Sequence, residues 1–200
     1  TEHKVHVPST GKMLELLQKD VKVVLSTAKN KNRKTKYSLV GVYRNNVPRI
    51  TDSQIGNKIF YQLFHTINEF KKWEIEKPEY TIGYSRFDFL ITSEKEKGLI
   101  ELKTCTLIEN GIASFPDAVS ERAVKHIEEL IELSEKGYDT FIVFLISGDA
   151  ELFIPNYHVD FKFYETFKKA INKINIYAFS CLLTENFEIL DKLKSVPISL

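Results

Sequence analysis

Cysteine is scarce in this chain: Cys105 and Cys181 are the only two in 200 residues. A disulfide framework or a zinc site needs more sulfur at closer spacing, so both are excluded. Each cysteine lies in an apolar, strand-like run, which marks it as a core residue and makes a reducing, cytoplasmic home the expectation. No apolar run approaches the length of a membrane span, and no secretory pattern opens the sequence. Neither sign of charge dominates, with Lys+Arg 28 against Asp+Glu 27 and a net charge of +1. Affinity for a polyanion must therefore come from local patches and not from a global positive field. Arginine is rare as well. Lysine supplies 23 of the 28 basic residues, which leaves few groups able to read a base edge bidentately, so any DNA contact is expected on the backbone, with weak sequence specificity. Internal repeats and low-complexity segments are absent.

What is present suits one medium domain or a small module joined to a larger one, with 43% hydrophobic residues to build a core. The chain begins at Thr1 and not at Met, and further residues are expected before it. The first 45 residues read as short strands, "KVHVP", "VKVVLSTA" and "KYSLVGVYR", separated by turns. These are too few to close a barrel. "NNVPRITDS" reads as a break, after which Asp52 or Ser53 caps a helix to about Phe70, with Ile55, Ile59, Phe60, Leu63 and Ile67 on its apolar face. A strand over 99–105, a helix over 117–136 stopped by Gly137, and the uniformly apolar strand 140–147 form a βαβ unit with a right-handed crossover. The last of these reads as a central strand covered on both faces. Asp160 opens a further helix, and "NIYAFSCLL" closes the chain with a strand.

One patch stands out for its sign. "KNKNRKTK", residues 29–36, holds Lys29, Lys31, Arg33, Lys34 and Lys36 and no acid. It fits a solvated loop between strands and equally a phosphate-contacting loop.

"SRFDFLITSEKEKGLIELKT", residues 85–104, poses the sharper question, because charges sit among residues that want burial. Side chains alternate along a strand. Leu99, Glu101 and Lys103 thus share one face, and in the preceding strand Asp88 and Leu90 share a face opposed by Phe87, Phe89 and Ile91. Paired as a hairpin, the strands bring Asp88 near Glu101 and Lys103. Two carboxylates that close repel unless a cation intervenes, and Mg²⁺ is the usual cation where oxygens converge. Lys103 points into the same space, where it could steady the hydroxide that attacks a phosphodiester. An ordinary Glu101–Lys103 ion pair on a solvated face fits the same spacing.

In "FPDAVSERAVKHIEEL", residues 115–130, helical periodicity puts Val119, Ala123, Ile127 and Leu130 toward the core, Val124 and Ile131 at the margin, and Asp117, Glu121 and Lys125 on the far side. Arg122 and His126 flank the stripe. The helix follows the Glu–x–Lys strand directly, so Arg122, Lys125 and His126 can face its carboxyl end as phosphate contacts. A half-buried histidine beside surface ion pairs is the other reading.

The ordered segments "SRFDF", "ELKTCTL" and "FPDAVSERAVKHIEEL" together resemble the sugar fermentation stimulation protein A family. "HVPSTGKM", "NKNRKTKYSL" and the terminal "SVPISL" extend the resemblance over nearly the whole chain; Val7, Ser9 and Ala123 depart from the family's Cys, Asn and Gly. The resemblance implies an OB-like β module over 1–48, here incomplete, followed by an α/β domain over 49–200. That domain would have the PD-(D/E)XK restriction-endonuclease-like fold, a mixed sheet flanked by helices. It implies DNA as partner and a role in regulating sugar-utilisation genes. Carried over by position, Asp88 and Glu101 are metal ligands for Mg²⁺ or Mn²⁺, Lys103 the catalytic lysine, and Glu79 a further carboxylate. Two functions follow: a metal-dependent DNA hydrolase, or a non-catalytic DNA-binding regulator on a nuclease-like scaffold. Homodimerisation stays open. A carbohydrate-active enzyme finds no support, since Trp73 is the only tryptophan and no carboxylate pair is framed by sugar-stacking aromatics.

Overall fold

In the computed structural model, which describes residues 2–8, 13, 15–28, 30 and 32–200, the N-terminal part is a small sheet of four strands: β1 (Val5–His6), β2 (Lys22–Thr27), β3 (Tyr37–Arg44) and β4 (Val47–Ile50). Strand β3 pairs with the other three, parallel to β1 and antiparallel to β2 and β4. The sequence reads the β4 segment as a break, on account of its Asn pair and Pro48. The asparagines instead make the turn of a hairpin, with φ 51 at Asn45 and 62 at Asn46, the left-handed pair a two-residue turn between twisted strands requires. Met13, Leu16, Leu39 and Val42 form its small buried core.

Helix α1 (Ser53–Leu63) starts where expected, the Asp52 carboxylate accepting from the Gln54 N–H at 2.9 Å. It ends earlier than its apolar pattern suggests. The chain continues as two single 3₁₀ turns, Phe64–Thr66 and Asn68–Phe70, divided at Ile67 in extended conformation. Then come β5 (Glu74–Ile82), β6 (Ser85–Thr92) and β7 (Lys97–Cys105), a short hairpin β8 (Leu107–Glu109) and β9 (Ile112–Phe115), and helix α2 (Glu121–Glu135). Strand β10 (Asp139–Ser147), strand β11 (Leu152–Pro155), helix α3 (Phe161–Ala170), β12 (Asn175–Leu183) and β13 (Ile189–Ser195) complete the chain.

The main sheet runs β13-β12-β10-β7-β6-β5. β7, β10 and β12 are mutually parallel and the outer strands antiparallel. β10 lies centrally and is almost wholly buried, as its unbroken apolar run predicts. Its alternate residues feed two cores. Ile142, Phe144 and Ile146 pack under α2 and α3 with Phe163 and Phe167, and Phe141, Val143 and Leu145 pack under α1 with Phe60, Phe64 and Phe70. Cys105 and Cys181 are both free and buried.

Three expectations need correction. The helix does not follow the Glu–x–Lys strand directly, because the β8–β9 hairpin lies between them. Helix α2 begins at Glu121 and not near Asp117, because Ser120 is the cap: its hydroxyl accepts from the Ala123 N–H at 3.2 Å and its own N–H donates to Asp160 at 2.8 Å. Val119 therefore precedes the helix and is 72% exposed, while Val124, expected at the margin, is buried with Ala123, Ile127 and Leu130. Strand β13, an exposed edge of mixed charge, is additional to the strand expected to close the chain.

The two parts are held in register by specific contacts. Arg49 donates to the Ser147 carbonyl at 2.8 Å, the Ile50 N–H to the Ser147 hydroxyl, and the Tyr43 hydroxyl to the Glu185 carbonyl at 2.8 Å. Gly148, at φ 135, leaves room for this docking: a Cβ there would sit 1.2 Å from Arg49 Nη1.

Candidate active site

Strands β6 and β7 pair antiparallel from Thr92↔Lys97 to Phe89↔Ile100 and then part. Asp88 stands at the parting. Its Oδ2 accepts the Leu102 N–H at 2.8 Å, taking the place of a main-chain partner. Its Oδ1 accepts from Asn57 on α1 at 2.6 Å. Alternation breaks at this point: Phe87 packs with Leu90 and Leu99, whereas Phe89 and Ile91 lie on the opposite face. The expectation that Phe87 shares a face with Phe89 fails because the hairpin is irregular there, with Glu79 across from Asp88 at φ 52.

On β7 the alternation holds. Leu99 and Cys105 belong to the core under α2, Ile100 and Leu102 to the other, and Glu101 and Lys103 share the α2 side. Glu101 is buried, its side chain only 4% exposed. One carboxylate oxygen, Oε1, accepts from both Lys103 Nζ and His126 Nδ1, the latter at 2.5 Å. The other, Oε2, is buried without a hydrogen-bond partner among the described residues. An orphaned carboxylate oxygen is costly in a folded protein.

The two carboxyls are driven apart. Burial pushes Asp88 up, the Glu101 charge adds to it, and the Leu102 N–H, Lys103 and Asn57 offset this only in part, so it stands at about 6. Burial also raises Glu101, but the His126 hydrogen bond and the Lys103 charge outweigh it and hold Glu101 below the usual carboxylate range. Glu101 is therefore ionised at neutral pH, and His126 Nδ1 carries the donating proton.

Asp88, Glu101 and Lys103 open onto one cleft of about 390 Å³, with Asn57, Thr104 and Arg122 also on its wall. The N-terminal part adds Met13 to the rim, its N–H donating to Asp117 at 3.2 Å. Helix α1 comes close enough to deliver Asn57 because residue 56 is glycine: a Cβ there would lie 2.5 Å from the Thr104 hydroxyl.

Of the remaining expected residues, Arg122, Lys125 and His126 line one groove, while Glu79 and the described residues of the basic loop lie elsewhere. His126 is buried, its Nδ1 on Glu101 and Lys103 Nζ 3.4 Å from the same nitrogen, and it lines a groove beside Arg122 and Lys125. Arg122 reaches the cleft wall. Lys125 is exposed and pairs with Glu129 at 3.5 Å. Glu79 is exposed, 3.8 Å from Arg86, and does not line the cleft. Arg33, Lys34 and Lys36 are exposed on the β2–β3 connection; Lys29 and Lys31 lie outside the described residues. Asn57 is the residue that sequence reading misses. Its signal is faint: a polar, poor helix former between Ile55 and Ile59. Among the described residues no group of three His, Cys, Asp or Glu side chains converges, and no helix is long and apolar enough to cross a membrane.

A mixed sheet between helices, with an Asp at the parting of a hairpin and Glu–x–Lys on its second strand, defines a restriction-endonuclease-like domain, here behind an OB module. Residues 54–187 match the family model "Sugar fermentation stimulation protein RE domain", and residues 1–48 the SfsA N-terminal OB domain. A sugar fermentation stimulation protein homolog of Clostridium tetani is 40% identical over 196 residues, 96% of this chain and 85% of that one. The homolog of Caldanaerobacter subterraneus subsp. tengcongensis is 39% identical over 187 residues, 92% and 82% of the two chains. The structure of Pyrococcus furiosus SfsA in complex with Ca²⁺ superposes with a TM-score of 0.88 at 27% identity, covering 96% of this chain and 84% of that one. The chain belongs to the sugar fermentation stimulation protein family.

Proposed function

We propose that this protein binds DNA across the cleft and hydrolyses a phosphodiester there with the help of a divalent cation. The observation that carries the reading is the Glu101 carboxylate: one oxygen clamped by Lys103 and His126, the other buried and unpartnered beside Asp88. Asp88 and Glu101 fit a hard cation such as Mg²⁺ or Mn²⁺, offering oxygen donors and no sulfur. The P. furiosus protein is in complex with Ca²⁺, likewise a hard divalent cation, which supports a cation of this class here. When bound, such an ion offsets carboxylate and phosphate charge and acidifies water.

The chain's own residues do the rest. Asn57 and the Leu102 N–H fix Asp88, and His126 fixes Glu101, so neither carboxylate has to reorganise when DNA arrives. Lys103 keeps a positive charge at the cleft floor, where a phosphate would otherwise meet two anions. Arg122 on the wall is placed to grip a phosphate oxygen. Arg33, Lys34 and Lys36 add sequence-independent attraction.

The test is supercoiled plasmid incubated in Mg²⁺, in Mn²⁺ and in EDTA with wild type, Glu101→Ala and Lys103→Ala. Nicking that needs metal and falls about a hundredfold or more in each variant is expected. A second reading, a non-catalytic DNA-binding regulator of sugar-utilisation genes, is favoured by the exposed basic loop and by the lack of a third converging ligand among the described residues. It predicts no nicking in any lane, with gel shifts that weaken steeply with salt and ignore EDTA.

A further inference from the structure

The hairpin that carries Asp88 ends in a two-residue turn. Ile82 pairs with Ser85, leaving Gly83 at φ 60 and Tyr84 as the loop. The second loop position normally takes a small polar residue, and a tyrosine there brings no packing benefit. Its exposure is 101%. Of the nine tyrosines in the chain, the other eight pack their rings against an aromatic, a lysine or a core cluster. The Tyr84 ring has no aromatic or cationic neighbour among the described residues.

Tyr84 stands over a groove of about 420 Å³ formed by the hairpin tip and the first turns of α2, lined by Ser85, Arg86, Arg122 and Lys125. Glu121 and Arg122 line both this groove and the Asp88–Glu101–Lys103 cleft, so the two adjoin across the first turn of α2. Arg86 and Lys125 are engaged by Glu79 at 3.8 Å and Glu129 at 3.5 Å, whereas Arg122 has no ion pair among the described residues. A strand that leaves the cleft across Arg122 would enter the adjoining groove, where the Tyr84 ring is a free aromatic face. An aromatic face accepts an unpaired base, whose own faces are open; in a duplex those faces are covered by neighbouring pairs.

We propose that Tyr84 is a stacking platform for an unpaired nucleotide, with Arg122 holding the intervening phosphate, and that single-stranded DNA is the substrate class of the cleft. This rests on the DNA-hydrolase reading above. The test is fluorescence anisotropy in EDTA with a labelled 15-nucleotide single strand and with the same sequence as duplex, on wild type, Tyr84→Ala and Tyr84→Phe. Tyr84→Ala is expected to weaken single-strand binding by about tenfold or more and to leave duplex binding unchanged, while Tyr84→Phe keeps wild-type affinity. A 2-aminopurine base in the strand should be quenched by wild type and Tyr84→Phe but not by Tyr84→Ala. Unchanged single-strand affinity in Tyr84→Ala, or equal losses on strand and duplex, would overturn the platform. A wild type that binds neither form would sink the DNA reading itself. One that nicks plasmid in Mg²⁺ yet ignores Tyr84 would sink only this inference.

Discussion

The protein carries two concentrations of charge, and they are built in opposite ways. In the cleft, Asp88, Glu101 and Lys103 are largely withdrawn from water, each held by a named partner and each at an energetic cost. On the β2–β3 loop, Arg33, Lys34 and Lys36 stand in solvent. Arg33 reaches Ser38 at 3.2 Å and Lys36 lies 5.3 Å over the Tyr37 ring, and little else constrains them. Exposed charge is nearly free, so its presence says little beyond long-range attraction. Buried charge has to be retained against its desolvation cost, so it points to chemistry that needs the charge in place. Mutations that treat the two regions alike would erase this distinction, and ones that separate them would sharpen it.

The largest expected separation is at Asp88. Its folded pKa of about 6 lies above the ordinary 3.8, so the folded state holds the proton more tightly than the unfolded chain. The stability this brings is complete below pH 3.8 and is lost as pH rises through 6, which leaves a cost of about 3 kcal/mol at neutral pH. Asp88→Asn removes the charge, and a flip of the Asn57 amide lets the new amide keep its Asn57 and Leu102 hydrogen bonds. Thermal melts should show the variant more stable than wild type at pH 7.5, the gain shrinking between pH 6 and 4. Mg²⁺ should raise the wild-type melting temperature at pH 7.5 and leave that of the variant unmoved. A variant less stable than wild type at pH 7.5 would mean that the Asp88 charge carries no stored cost.

His126 comes next. Its contact with Glu101 spans 25 residues of sequence, and that carboxylate is its shortest link to the cleft, with Lys103 Nζ at 3.4 Å the second. Partners that orient a metal-binding side chain typically change affinity 10–100-fold when removed. Calorimetric titration with Mn²⁺ should show a loss of that size in His126→Ala and recovery in His126→Asn, whose amide can donate from nearly the Nδ1 position. Equal losses in both would assign His126 to core packing alone.

Legibility in the sequence followed the range of the interaction. The Glu101–x–Lys103 strand, the uniformly apolar β10, and the Asp52 and Asp160 caps declare themselves within a few residues, and each stands where the pattern puts it. β4 did not, because Pro48 and two asparagines look like a break until β3 pairs with them. β13 lacks the apolar alternation of a half-buried strand, since as a solvated edge it has little to bury. The site divides the same way. Asp88 and Lys103 were visible as charges out of place, but which partner would meet His126, and that Glu79 would turn outward to Arg86, depend on an irregular hairpin and a docked helix. Asn57 is delivered by Gly56 and Thr104, which meet only after folding.

The smallest effect belongs to the loop. If Arg33, Lys34 and Lys36 act only through Coulomb attraction to phosphates, replacing all three with alanine removes at most three counterion-releasing contacts. The slope of log K against log salt for duplex DNA should then fall by no more than about 2.7. Affinity should drop in low salt and converge on wild type as salt rises, because exposed charges beyond a Debye length are screened. Metal affinity should be unchanged, and so should stability, as none of the three is buried. Plasmid nicking at saturating DNA should also stay at the wild-type rate, since the loop offers attraction and no reacting group. A variant that loses nicking at saturation would place the loop inside the reacting geometry, and the division between costly and free charge would no longer mark where the chemistry sits.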